Sequence, residues 1–130
     1  MALKRVIREK VWLKYDKHCA YCGDVLRYES MQVDHVVPQR NFLMHVKNKW
    51  RLPIFLSHLT ELDVDHIDNL MPACRVCNNW KSSHDLECFR SELLEQTKRL
   101  NLRSSNYRMA KKYGLLVEIN TNIVFYFERN

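Results

Sequence analysis

The chain reads as a small α+β protein, and three observations set that class. Residues 3–15 and 86–100 repeat apolar side chains at three- and four-residue intervals, the period of a helix with one buried face. Residues 32–37, 115–119 and 123–127 are short and rich in β-branched and aromatic residues. Two Cys-x-x-Cys pairs, Cys19/Cys22 and Cys74/Cys77, have the spacing at which two thiolates reach one tetrahedral zinc ion.

In chain order, the first helix carries Leu3, Val6, Ile7, Val11 and Tyr15 on one side, with basic residues between them. The first cysteine pair follows, and Gly23 directly after Cys22 permits the tight turn of a zinc knuckle. Residues 32–37 predict a strand that stops at Pro38. Residues 41–62 are strongly apolar and broken by Pro53; two short helices packed on the core are preferred to a projecting arm, which would need a partner to cover it. After the second cysteine pair, residues 79–83 open as a helix. Asp85 is then the N-cap of a helix over 86–100, whose apolar stripe is Leu86, Phe89, Leu93, Leu94 and Leu100. Residues 105–113 predict a short basic helix ending at Gly114. The last two apolar runs, joined by Asn120-Thr121-Asn122, predict a C-terminal β-hairpin.

With 130 residues and 46% hydrophobic content, the chain suits one core. The expected organisation is a single domain over 1–130, with its core at about 18–84 and a helical and hairpin extension over 85–130. No run of about 18 apolar residues occurs, so no transmembrane helix is expected. The charged first 17 residues lack a signal-peptide pattern, and an intracellular location, cytoplasmic or nucleoid-associated, follows. In a reducing compartment five cysteines favour metal ligation over disulfides. Cys88 stands outside the pairs and reads as a small hydrophobe on a helix face.

The formal net charge is +6, and it is unevenly spread. Residues 98–112 hold six basic residues and no acid, and residues 1–17 hold six against two. Basic flanks beside a metal site favour a nucleic-acid partner over a merely solvated face.

Four thiolates close a zinc shell and leave no place for water, so Cys19, Cys22, Cys74 and Cys77 predict a structural zinc. A redox dithiol is the competing reading for either pair alone, but two pairs occur and neither lies in a βαβ pattern. Joining pairs separated by 51 residues also gathers the polar residues beside them. Asp34-His35 lies 12 residues after Cys22, Asn69 lies five before Cys74, and Asn78 follows Cys77. A carboxylate and an amide oxygen suit a hard cation such as Mg²⁺, and an imidazole can serve as general base. Together they could hydrolyse a phosphodiester.

In order as well as type, these segments resemble the zinc-containing HNH endonucleases. The resemblance rests on Cys-x-x-Cys, Val33-Asp34-His35-Val36-Val37-Pro38, Asp68-Asn69-Leu70-Met71-Pro72 and Cys74-Arg75-Val76-Cys77-Asn78-Asn79-Trp80-Lys81. It covers about residues 18–81, roughly half the chain. It implies a ββα-metal core, a DNA substrate and products with 5′-phosphate and 3′-hydroxyl ends. By this resemblance His35 is the general base, Asn69 braces the loop that orients it, and Asp34 and Asn78 hold a catalytic Mg²⁺ or Mn²⁺. Lys81 and Arg75 are the expected nucleic-acid contacts, with a solvated surface charge as the alternative for both. The family's frequent last histidine is Asn78 here, and its glycine pair after the catalytic strand is absent.

Two residues adjacent on a strand point to opposite faces, so Asp34 and His35 share a site only if the strand ends or bends there. A second pair, Asp65-His66, competes for the catalytic role, but its order and spacing fit less well. His18 is expected to pack at the first knuckle, His45 and His58 to be structural, and His84 to lie off the Asn78 face. The main alternative function is a zinc-stabilised nucleic-acid-binding module without catalysis; a protein–protein zinc module is a third.

Overall fold

Residues 3–129 are described by a computed structural model, and they form an α+β fold around one two-stranded sheet. Helix α1 (Arg5–Leu13) leads, followed by the first knuckle, strand β1 (Gln32–His35) and helix α2 (Phe42–Lys47). Strand β2 (Leu70–Ala73) then runs directly into helix α3 (Arg75–Lys81). Helices α4 (Leu86–Leu94), α5 (Gln96–Arg103) and α6 (Ser105–Lys112) complete the helical part. Among the described residues no helix is long and apolar enough to cross a membrane.

The sheet is antiparallel, with Gln32 opposite Ala73 and His35 opposite Leu70. Pro72 has no N–H to give, but its carbonyl accepts the Ala20 amide at 2.8 Å and fastens the first knuckle to β2. Helix α1 buries Val11 and is tied down by its polar side chains as well. Arg8 donates to the carbonyls of Tyr28 and Met31, and the Trp12 indole donates to Leu26. Asp16 and Lys17, both at positive φ, then turn the chain into the knuckle.

The insertion forms α2 and a single 3₁₀ turn, Ile54–Leu56, started by Pro53. Phe42, Val46, Leu56 and Leu59 are buried while Leu43, Met44, Trp50, Ile54, Phe55 and Leu62 are exposed, so the insertion packs on the core along one side and leaves the rest of its large apolar side chains uncovered. The helix expected over 86–100 is two helices. Asp85 caps the first, accepting the Cys88 amide at 2.9 Å. The Gln96 side chain then donates to the Glu92 carbonyl at 2.8 Å, and the chain bends at Glu95. Ser104 caps α6, and Gly114 at φ +75° follows its end as expected.

The C-terminal hairpin does not form: no strand lies beyond β2 in the described residues. The second half of the predicted pair spends its backbone donors on the knuckle instead. Tyr126 and Phe127 donate to the carbonyls of Tyr21 and Ala20 at 3.0 and 2.8 Å. Phe125 stacks on Phe89, and Tyr21 stands edge-on to both. Gly23 is essential to this closure, because its φ is +85° and an added Cβ would lie 2.6 Å from the Tyr126 ring.

Candidate functional site

The four paired cysteines converge, with one sulfur from each lying within 4.8 Å of the others. Local structure places them: Cys74 caps α3 by accepting the Cys77 amide, and Cys19 accepts the Cys74 amide, both at 3.3 Å. A hydrogen bond from Cys77 holds the Cys19 thiol down at about 4. Burial pushes Cys22 up to about 12, and the bonded Cys19 thiolate drives Cys77 above its ordinary range. Several thiolates cannot ionise together without a cation to neutralise them, so this donor set fits Zn²⁺. Bound there, zinc would join the knuckle after α1 to the start of α3.

Beside that brace is a cleft of about 280 Å³ whose lining includes Asp34, His35, Arg40, Asn78 and Ser82. β1 ends at His35, which meets the condition for adjacent residues to reach one site. Asp34 is buried, and its Oδ2 accepts the Tyr21 hydroxyl and lies 3.0 Å from the Lys81 ammonium. Burial raises its carboxyl above the usual range, opposed by the charge of Lys81. Both bonds end on Oδ2, and no buried side-chain oxygen lacks a partner among the described residues. Oδ1 is therefore left open to solvent, on a residue that lines the cleft. With the Asn78 side chain it offers hard oxygen ligands of the kind Mg²⁺ accepts while retaining waters.

His35 is oriented from two directions. Its Nε2 lies 2.7 Å from Asp65 Oδ1. An ionised carboxylate only accepts, so Nε2 is the nitrogen that donates to Asp65, and Nδ1 is the ring nitrogen left for other partners. The backbone is held by Asn69, which is fully buried. Asn69 Oδ1 accepts the Val37 amide at 2.8 Å, and Nδ2 donates to the carbonyls of Val37 and Val64 at 3.1 and 2.9 Å. The Asn69 carbonyl also accepts the Val36 amide at 2.9 Å. Asp65, which competed with Asp34 as part of a catalytic pair, is thus a partner of His35. The signal for it was a second Asp-His pair so close to Asn69.

Lys81 is a correction. Expected on the phosphate backbone, it is wholly buried, donating to the His35 carbonyl at 2.8 Å besides pairing with Asp34. Its side chain locks α3 to β1 behind the cleft. Arg75 is exposed at the start of α3, and Arg40 is exposed at the cleft. Much of the basic surface is also committed within the fold. Arg8 and Lys14 bond backbone carbonyls, while Lys98, Arg99 and Lys111 pair with Glu95, Glu92 and Glu118. Among the described residues, Arg103, Arg108 and Lys112 are exposed without a carboxylate partner.

The remaining histidines fall as expected or acquire new partners. His18 stacks on Tyr126 at the knuckle, and buried His45 stacks on Trp50. His84 is exposed and does not line the cleft. His58 bonds Asp68. Cys88 is half-buried beside Asp85 and Arg51. A larger hollow of about 340 Å³, lined by Trp80, Phe89, Leu93 and Phe125 among others, brings no carboxylate or imidazole. The carboxylate, imidazole and amide side chains gather in the smaller cleft instead.

No family model matches the chain, and no curated protein matches it. Among solved structures it is similar to the Type II-C Cas9 enzyme from Actinomyces naeslundii, at 20% identity and a TM-score of 0.48. That likeness covers 86% of this chain, which spans 11% of the other chain's length.

Proposed function

We propose that this chain is a metal-dependent DNA endonuclease of HNH type, with a zinc-braced core. One observation carries the reading: Asp34, His35 and Asn78 line the same cleft. In it His35 is the general base. Asp65 holds the imidazole with Nδ1 free to take a proton from water, and Asn69 fixes the backbone on which His35 sits. The water oxygen attacks phosphorus, the bond to the 3′-oxygen breaks, and that oxygen leaves to be protonated by solvent. Such base catalysis contributes roughly 10²- to 10⁴-fold. A Mg²⁺ or Mn²⁺ ion held by Asp34 and Asn78 would supply charge stabilisation at the phosphate and the leaving oxygen. Arg40 and Arg75, with Arg103, Arg108 and Lys112, are the cations offered to the DNA backbone in a salt-sensitive way.

The test is a divalent-ion panel on supercoiled plasmid with the cut ends mapped and the zinc content followed. Nicking with Mg²⁺ or Mn²⁺, stopped by chelation before zinc is lost and leaving 5′-phosphate ends, is the expected result. Salt-sensitive DNA binding without product under every ion would replace the reading with that of a binding module.

A further inference from the structure

A second cluster of metal-ligating side chains lies outside the cleft, in the segment between the 3₁₀ turn and β2. We infer that His58, His66 and Asp68 form a binding site for a divalent transition-metal ion of the zinc class, separate from the cysteine site. One ligand atom from each residue lies within 4.8 Å of the others. Asp68 Oδ2 is the centre, 2.8 Å from His58 Nε2 and 3.8 Å from His66 Nδ1. Tetrahedral ligands at zinc distances stand about 3.3 Å apart, a value these two separations bracket. The imidazoles meet edge to face with centroids 5.6 Å apart, so neither ring blocks the other's approach.

An ordinary surface ion pair accounts for only part of this. One imidazole N–H satisfies one carboxylate oxygen, and His58 Nε2 already lies 2.8 Å from Asp68 Oδ2. His66 brings a second imidazole to the same oxygen with its Nδ1 unprotonated, because that nitrogen accepts the Asp68 amide at 3.0 Å. This capping bond holds the unprotonated nitrogen 3.8 Å from the Asp68 carboxylate, and an ion between them would take its lone pair in place of the amide. Residues 57–68 hold four acids and no lysine or arginine, so the segment favours a cation. Lys14 is the opposing charge nearby, but its ammonium is occupied by the carbonyls of Ile67 and Leu70 at 2.7 and 2.8 Å. Two imidazoles and one carboxylate select a borderline ion such as Zn²⁺, Co²⁺ or Ni²⁺ over Mg²⁺. All three ligands are partly exposed, leaving room for water as a fourth.

The position gives the site a purpose. Asp65, which orients His35, lies one residue before His66, and Asn69 lies one after Asp68. An ion held here would fix the segment that presents both. That consequence rests on the nuclease reading; the site itself does not.

The test uses the full chain, first loaded with zinc at the cysteines and kept in excess Mg²⁺, then titrated with Co²⁺ or Zn²⁺. Wild type should take up a second ion per chain, the cobalt form showing d–d bands without added thiolate charge transfer. His58→Ala and His66→Ala should each weaken that uptake by more than the roughly 10- to 100-fold that loss of an outer-shell partner costs, and leave the first zinc in place. Amide exchange between Thr60 and Asn69 should slow on filling in wild type alone. One ion per chain in wild type, or a second ion indifferent to both substitutions, overturns the site. Neither outcome depends on DNA cleavage, so failure here and failure of the nuclease reading are read separately.

Discussion

His35 and Asp65 stand 30 residues apart in the chain and 2.7 Å apart in the fold. In the proposed account Asp65 is a positioning residue, because it binds the nitrogen of His35 opposite the one that takes the proton. Asp65→Asn should lower kcat about 10- to 100-fold, the usual cost of losing such a partner, with KM for DNA and zinc content unchanged. Asp65→Glu, which restores a carboxylate, should recover part of the loss. Equal kcat in wild type and Asp65→Asn would remove the residue from the mechanism. At this scale the sequence was most informative where the chemistry is local. The cysteine pairs and Asp34-His35 are readable because their members are neighbours. Asp65 and Lys81 are not, because a carboxylate chooses its imidazole, and a lysine its burial, only after distant segments have packed. A long charged side chain reads as surface, yet Lys81 is paired inside with Asp34 and donates to the His35 carbonyl.

Among the elements, α1, β1 and α6 follow their expected positions closely, since each carries its own period and stop signals. β2 is implied only by the ββα core of the family the chain resembles, because it is four residues long and contains Pro72, which argues against a strand unless its missing N–H faces nothing that needs it. The pattern that predicts a C-terminal hairpin has another cause in the fold. Residues 123–127 are apolar because Phe125 joins the aromatic core of the knuckle, while Leu115, Val117 and Ile119 remain exposed. Arg90 anchors this return. It pairs with Glu87 and Glu128, donates to the Ile123 carbonyl and lies 4.6 Å from the centre of the Phe125 ring. Arg90→Ala should cost about 2–4 kcal/mol in urea unfolding of the zinc-loaded chain, by loss of charge-assisted bonds and of the contact with the ring. A change below about 0.5 kcal/mol, that of an ordinary surface substitution, would show that the C-terminal segment is held by its apolar contacts alone.

Over the whole molecule, the zinc brace and the cleft are one design in the proposed account. Cys74 is at once the cap of α3 and one of the four cysteines that would hold zinc, and α3 delivers both Asn78 to the cleft and Lys81 to the carboxylate of Asp34. The net charge was legible as a number but not as a surface, because ion pairs and carbonyl contacts absorb many of the basic residues within the fold. What remains for a polyanion is a smaller set led by Arg40 and Arg75. The central claim is that His35 activates water in this cleft, and one comparison tests it most directly. Zinc-loaded wild type and His35→Ala, matched in zinc content and thermal stability, are assayed on supercoiled plasmid with Mg²⁺. The account predicts nicking by wild type and a rate at least about 10²-fold lower in the variant. A His35→Ala protein that cuts at the wild-type rate would contradict it.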